Sequence, residues 1–386
     1  VGYQDALFKG KTLKGGRSCE ERWDMIAAYI PRSGMMLDVG SDLGYFSIRA
    51  ALGNPELAVI SLEAEETSTK TQSKVIQSHE LTTICLLQGM LNSVAADCWS
   101  RRTDWFDLTL VLSISHWFDN PASVLRSLSM MSDKLVVELL DPADHGACGQ
   151  EKIREYSDPL LWLQGVTGRR CHEIGRCGRH TSEHPSHLIL VEGPTDLNSR
   201  SSFWDSRIKY PTEERPILHF DGEIIRFKAS GETAAYQTGC DLSSLMKVGR
   251  LVYPRKEYWF QSMSKALQDS DLLPDPIAHN MSWSASGITL RNSAWDEGKS
   301  DKLFEWQLGG VTECSGEAAD NRRAAHRLVA QKRFAKMVGS WSKGASVESV
   351  CDTVDISSTR LWKQAKFIIR SALPETWVTA IKRVSR

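Results

Sequence analysis

Three carboxylates set around two glycines are the clearest chemistry-bearing group in this chain. Asp38 follows the apolar run Met35-Met36-Leu37. Gly40 and Gly44 bracket Ser41, Asp42 and Leu43, and Tyr45-Phe46-Ser47 then opens a helix-like segment. A second apolar run, Leu57-Ala58-Val59-Ile60-Ser61-Leu62, ends in Glu63, 25 positions after Asp38. A carboxylate can accept from two vicinal hydroxyls at once, and nucleotide-binding βαβ units place an acid about 20 residues on for the ribose. The alternative for Glu63 is a surface glutamate at a strand end. Glycine at position 40 lets the backbone bend tightly and approach a ligand. A dinucleotide site would present G-x-G-x-x-G beside a pyrophosphate; Asp42 in the turn argues against an anion there.

These side chains need strands to deliver them. Besides the runs at 35–39 and 57–63, strands are predicted at 83–89, 106–117 and 134–140, each a near-continuous apolar run of the kind that parallel strands covered on both faces show. Two further runs, 170–175 and 186–192, read as an antiparallel pair closing the sheet. Helical spacing of Trp23, Ile26, Ala27 and Ile30 predicts a helix before the first strand. Ser18 and Glu21 are placed to form its capping box, and Pro31 ends it. Five strands alternating with helices imply a doubly wound α/β sheet.

The segment "LDVGSDLGYF" resembles the donor-binding loop of class I S-adenosylmethionine-dependent methyltransferases, and "FDLTLVLSISHWFDN" is similar to their fourth-strand segment. The resemblance covers about residues 15–193. It implies a Rossmann-like, doubly wound, mostly parallel seven-stranded sheet and S-adenosyl-L-methionine as cofactor. It also implies cofactor contacts at Asp38, Gly40, Ser41, Asp42, Gly44, Tyr45, Phe46, Glu63, Gly89, Met90 and Ser113. Ser113, His116 and Trp117 would face the acceptor, with His116 the candidate base, or else a histidine packed beside Trp117. Lys11 and Arg17 of a basic N-terminal arm are candidate substrate contacts. The family's middle glycine is Asp42 here; it could meet the donor's cationic groups or mark a drifted, silent site. No Asn/Asp-Pro-Pro-aromatic or Pro-Cys sequence follows the fourth strand, which disfavours methylation of exocyclic base amines or of pyrimidine C5. Methyl transfer to oxygen or nitrogen is the expected reaction.

The chain has 386 residues, 41% of them hydrophobic, and a net charge of −1. That suits two or three domains, read as 1–195 (methyltransferase), 196–310 (mixed α+β, with hairpins at 218–227 and 281–290 and a helix at 255–268) and 311–386 (helical and basic). Residues 321–386 carry 14 Lys/Arg against 4 Asp/Glu, about +10, leaving about −11 elsewhere. Such asymmetry points to an anionic partner, so RNA or another polyanion is an expected acceptor, with a small molecule or glycan as the alternative. Residues 346–363 resemble a helix-turn-helix, which would put Arg360, Lys363 and Lys366 on phosphates; two packed helices with a solvated basic face are the plainer reading.

Cys171, His172, Cys177, His180, His184 and His187 crowd together without a C-x-x-C spacing, so no metal is expected. Asp275 and Asn280 resemble the catalytic loop of small-molecule kinases, the alternative being a plain hairpin segment. Nine cysteines without a repeated framework fit reduced thiols and a cytoplasmic setting. No apolar run of about 18 residues suggests a membrane span.

Overall fold

The computed structural model describes residues 4–8, 11–100, 105–144, 156–179, 182–193, 219–221, 224–229, 232–237, 239–254, 256–269, 281–290 and 334–344. In chain order, the N-terminal arm holds β1 (Ala6–Phe8) and β2 (Lys11–Leu13), followed by α1 (Glu20–Ile26). Then come β3 (Ser33–Val39), α2 (Tyr45–Gly53), β4 (Glu56–Glu63), α3 (Glu66–Ser78), β5 (Ile84–Gln88) and α4 (Ser93–Ser100). β6 (Phe106–Leu112), α5 (Pro121–Met130), β7 (Ser132–Leu139), α6 (Pro159–Thr167), β8 (Cys171–Arg179) and β9 (Ser182–Val191) follow. The second half contributes β10 (His219–Asp221), β11 (Ile224–Ala229), β12 (Glu232–Gln237), β13 (Cys240–Asp241), α7 (Leu242–Val248), β14 (Arg250–Tyr253), α8 (Lys256–Asp269), β15 (Met281–Ser284) and β16 (Gly287–Leu290).

The central sheet runs β14-β5-β4-β3-β6-β7-β9-β8. β5, β4, β3, β6 and β7 are parallel, and β9 lies antiparallel to β7. Alternate residues of each strand point to opposite faces, and here both faces are covered. Met35, Leu37, Val39, Ala58, Ile60 and Leu62 join one core layer, while Met36, Leu57, Val59, Leu108 and Leu110 join the other. That double burial is why these strands are unbroken apolar runs. The chain winds from β3 outward to β5, then crosses back to β6 and β7. The ends of β3 and β6 therefore diverge at a topological switch point, where open α/β sheets bind ligands.

The sheet has eight strands where seven were expected. The extra one is β14, antiparallel to β5, with Arg250 opposite Gln88 and Leu251 opposite Leu87. It covers an edge whose backbone groups would otherwise be unpaired. The hairpins expected in the second half form, with Asp221 opposite Ile224 and Trp283 opposite Ile288, and the helix expected at 255–268 is α8. Trp259, Trp283 and Trp341 are buried in the same core layer as Leu87 and Leu91.

α1 begins differently from expectation. Its N-cap is Cys19, with no capping side chain. Asp5 of the arm accepts from the Cys19 N–H at 2.9 Å and from the Gly15 N–H at 2.8 Å, so a distant carboxylate takes the place of the expected Ser18/Glu21 box. The arm is tied down further by Arg17, which pairs with Glu138 of β7 and donates to Ser113 Oγ at 2.6 Å. Arg22 of α1 reaches the other Glu138 oxygen at 3.4 Å. Glu138 is fully buried, so its loss would strand two buried guanidinium groups. Glu138→Gln is expected to destabilise the fold by about 3 kcal/mol or more, read as a lower urea midpoint with unchanged slope. No helix among the described residues is long and apolar enough to cross a membrane.

Candidate functional site

The parallel strands all end on one edge of the sheet, and that edge collects most of the polar groups singled out above. The turn after β3 is bent by three consecutive left-handed positions at spacing two: Gly40 at φ +73°, Asp42 at +49° and Gly44 at +78°. A side chain at Gly44 would overlap the Gln72 amide. The turn is closed onto the end of β4. The N–H groups of Gly40 and Ser41 both donate to Leu62 O, at 2.8 and 3.1 Å, and the Gly44 N–H donates to Ser41 O at 2.8 Å. The Asp42 N–H donates to Glu63 Oε2 at 2.7 Å, while Glu63 Oε1 accepts from the Glu65 N–H at 2.8 Å.

A buried polar chain supports the turn from below. Ser47 donates to Asp38 Oδ2 at 2.6 Å and lies 3.1 Å from Ser61 Oγ. Gln72 donates to Ser61 at 2.6 Å and accepts from Ser41 at 3.1 Å. Asp38 thus braces the turn from within the core. Burial pushes its carboxyl up to about 6, against the Ser47 hydrogen bonds that pull it down and with Glu63 nearby adding to the rise. Burial also raises Glu63. Asp42 Oδ1 accepts from Ser68 at 2.8 Å, but Asp42 Oδ2 is buried with no partner.

Not every expected contact faces this edge. Tyr45 and Phe46 are buried in the layer beneath α2, where Arg49 bonds the Tyr45 hydroxyl and the Arg22 guanidinium lies 5.1 Å over the Phe46 ring. Arg17 is 3% exposed and engaged by Glu138 and Ser113. Lys11 is exposed on β2. Gly89 follows β5 and donates to Glu63 O at 2.8 Å, so the ends of β4 and β5 are level. Met90 beside it is 67% exposed. Ser113 sits at φ +60° after β6. His116 and Trp117 lie on the single helical turn Ser115–Trp117, with rings 5.4 Å apart and Trp117 62% exposed. Arg360, Lys363, Lys366, the helix-turn-helix-like segment and Asp275–Asn280 lie outside the described residues.

The Cys/His cluster is dispersed by the β8–β9 pair. Cys171 and Cys177 are buried in opposite core layers, and His172 pairs with Glu192 at 2.7 Å. No metal-holding set occurs among the described residues. His187 belongs to a polar group that the sequence reading missed. Its Nδ1 lies 2.7 Å from Glu173 Oε2 and its Nε2 3.2 Å from Asp141 Oδ2, just past the end of β7. Burial pushes Asp141 up, but the Ala143 N–H and the His187 ring outweigh it and hold the carboxyl low. The signal was there: Asp141 closes an apolar run just as Asp38 does.

No family model matches the sequence, and no curated protein matches it. Several solved structures are similar. A crystal structure of WbdD is 12% identical, covering 96% of this chain and 97% of its own, at a TM-score of 0.42; WbdD is described as a bifunctional kinase-methyltransferase. The N-terminal domain of EvdMO1 with S-adenosylhomocysteine bound is 14% identical, covering 48% of this chain and 89% of its own, at 0.37. A precorrin-6y C5,15-methyltransferase from Geobacter metallireducens GS-15 is 10% identical, covering 46% and 89%, at 0.34. At such identities and scores the likeness says nothing of substrate or reaction.

The Asp38 environment carries a pH signature. Its folded pKa lies above the unfolded value of about 3.9, so the native state binds the proton more tightly between the two. The stability that Asp38 contributes therefore falls as pH rises from about 4 through 6, and is level above that. Asp38→Asn is expected to flatten this part of the profile. Urea denaturation of both proteins at pH 4.5 and 7.5 checks it: the stability difference between them must change with pH in that direction.

Proposed function

We propose that this chain binds S-adenosyl-L-methionine across the carboxyl edge of its central sheet and transfers the methyl group to an oxygen or nitrogen of an acceptor. The observation that carries the reading is how the turn after β3 uses its amides. A phosphate-binding turn aims free N–H groups at an anion. Here the N–H groups of Gly40, Ser41, Asp42 and Gly44 all donate within the protein. Segments 38–46 and 61–69 contain Asp38, Asp42, Glu63, Glu65 and Glu66 and no basic residue. A turn and a β4 end with acceptors and no basic residue of their own suit a ligand rich in donors and positive charge.

The residues present fit that cofactor. Glu63 accepts from the Asp42, Ala64 and Glu65 backbone N–H groups, and a carboxylate offers about four acceptor sites, so a ribose hydroxyl can still be held. Asp42 Oδ2 is a buried acceptor without a donor, which an ammonium or hydroxyl of the ligand would satisfy. Bound there, the cofactor supplies an electron-poor methyl carbon. The protein's task is then mainly to align the acceptor for in-line attack. The ends of β6 and β7 offer His116 as a base for a hydroxyl acceptor, Trp117 as an apolar platform and Asp141 as a hydrogen-bond acceptor.

The described acceptor side carries acidic Asp119 and Asp141 and an exposed tryptophan. That composition favours a small molecule or glycan over RNA, whose phosphates call for a basic surface. Of the basic segment 321–386 that suggested RNA, residues 334–344 are described and pack by Trp341 against the core; the rest lies outside the described residues.

Calorimetry with S-adenosylhomocysteine on the full chain tests the cofactor reading. Saturable binding is expected, and Glu63→Ala should weaken it roughly 10- to 100-fold, the worth of hydrogen bonds to a charged group. Absence of heat and of any thermal shift at millimolar ligand would sink the proposal.

A further inference from the structure

β14 does more than cover a sheet edge. Because it runs antiparallel to β5, its beginning lies beside the end of β5, on the edge that collects the site. Arg250 is opposite Gln88 and its guanidinium donates to the Gln88 Oε1. Just before it, Gly89 meets the backbone of Val248 and Gly249 so closely that a Cβ at Gly89 would overlap the Val248 carbonyl. A Cβ at Gly249 would stand 3.0 Å from Gln88 O. Trp341 holds this segment in place, its indole N–H donating to Gly249 O at 2.7 Å. The α7 helix ends at Val248, where the last carbonyls of a helix have no intrahelical partner.

Gln88 pairs in register with Glu63, and the Gly89 N–H is bonded to Glu63 O. A nucleoside whose ribose is held by Glu63 therefore has the end of β5 as its next neighbour along the edge. There Met90, two positions past Gln88, stands largely in solvent, and Arg250 bonds the Gln88 side chain. An exposed thioether and a planar guanidinium are both suited to lie against an aromatic base.

We propose that Val248–Arg250 forms the outer wall of the donor's nucleobase subsite, with the Arg250–Gln88 pair setting the preference for adenine. The C-terminal half of the chain then supplies part of the cofactor site. This rests on the donor reading above.

The experiment is calorimetry on the full chain with two probes, S-adenosylhomocysteine and S-inosylhomocysteine, which differ only at the base. The wild type is expected to prefer the adenine compound. Arg250→Ala and Gln88→Ala, which remove opposite members of the pair, are each expected to weaken S-adenosylhomocysteine at least fivefold and to shrink that preference. The second variant keeps the test open should the first fail to fold, and melting of the unliganded proteins identifies that case. Equal weakening of both probes with the preference intact would assign the pair a structural role and overturn the wall. So would binding within twofold of wild type. If the wild type binds neither probe, the donor reading itself fails and the wall falls with it.

Discussion

The turn between β3 and α2 is folded back on the end of β4, and the rest of the site follows from that closure. Leu62 O takes two amides and Glu63 takes a third, so the two strand ends are locked at one level. Closure of this kind demands left-handed backbone at 40, 42 and 44. Two of these positions are glycine; the third is aspartate, one of the few side chains that tolerates the conformation. It also engages the amides of Gly40, Ser41, Asp42 and Gly44 within the protein. A single geometric requirement thus fixes which residues stand in the turn.

The strands and the turn were legible in the sequence because their cause is local. Burial on two faces writes an apolar run, and a tight turn at its end writes glycine and aspartate. Glu63 was legible because it ends such a run. What escaped the reading depends on contacts distant in sequence. Arg17 looks like part of a basic, solvent-facing arm, yet it is neutralised by Glu138, 121 positions away. The Ser18/Glu21 pattern is a valid capping signal that lost to Asp5, a stronger acceptor brought in by the β1–β2 hairpin. Tyr45 and Phe46 follow the turn directly, but helical geometry rotates Phe46 towards Trp23 and Arg22, and Tyr45 towards Arg49. Cys171 and Cys177 are an even number of residues apart, yet a register shift between Glu173 and Gly175 sends them to opposite core layers.

Two arginines around one buried glutamate leave an excess of positive charge beneath the ends of β6 and β7, while the turn and the β4 end are acidic. Buried ion pairs are weak evidence of stability in themselves. Their value here is positional. Arg17 bridges the arm to Ser113, a residue held at positive φ, and such strain persists only where the surroundings over-determine it. The arm, α1 and the end of β6 are thereby fixed as one unit.

The eighth strand follows the same logic at the other end of the sheet. An edge strand left open invites pairing with other chains, and β5 would be such an edge. Any segment could cover it; the direction of the segment decides what reaches the site. Had β14 run parallel to β5, Tyr253 and the following turn would stand at the carboxyl edge. Running antiparallel, it instead delivers the end of α7, the Gly249 backbone and Arg250, and the two glycines at 89 and 249 allow the close approach. The tryptophans of the second half, packed into the same layer as β5, hold that direction. Residues more than 150 positions beyond β5 therefore stand at the carboxyl edge of the sheet, and the first half of the chain alone does not contain them.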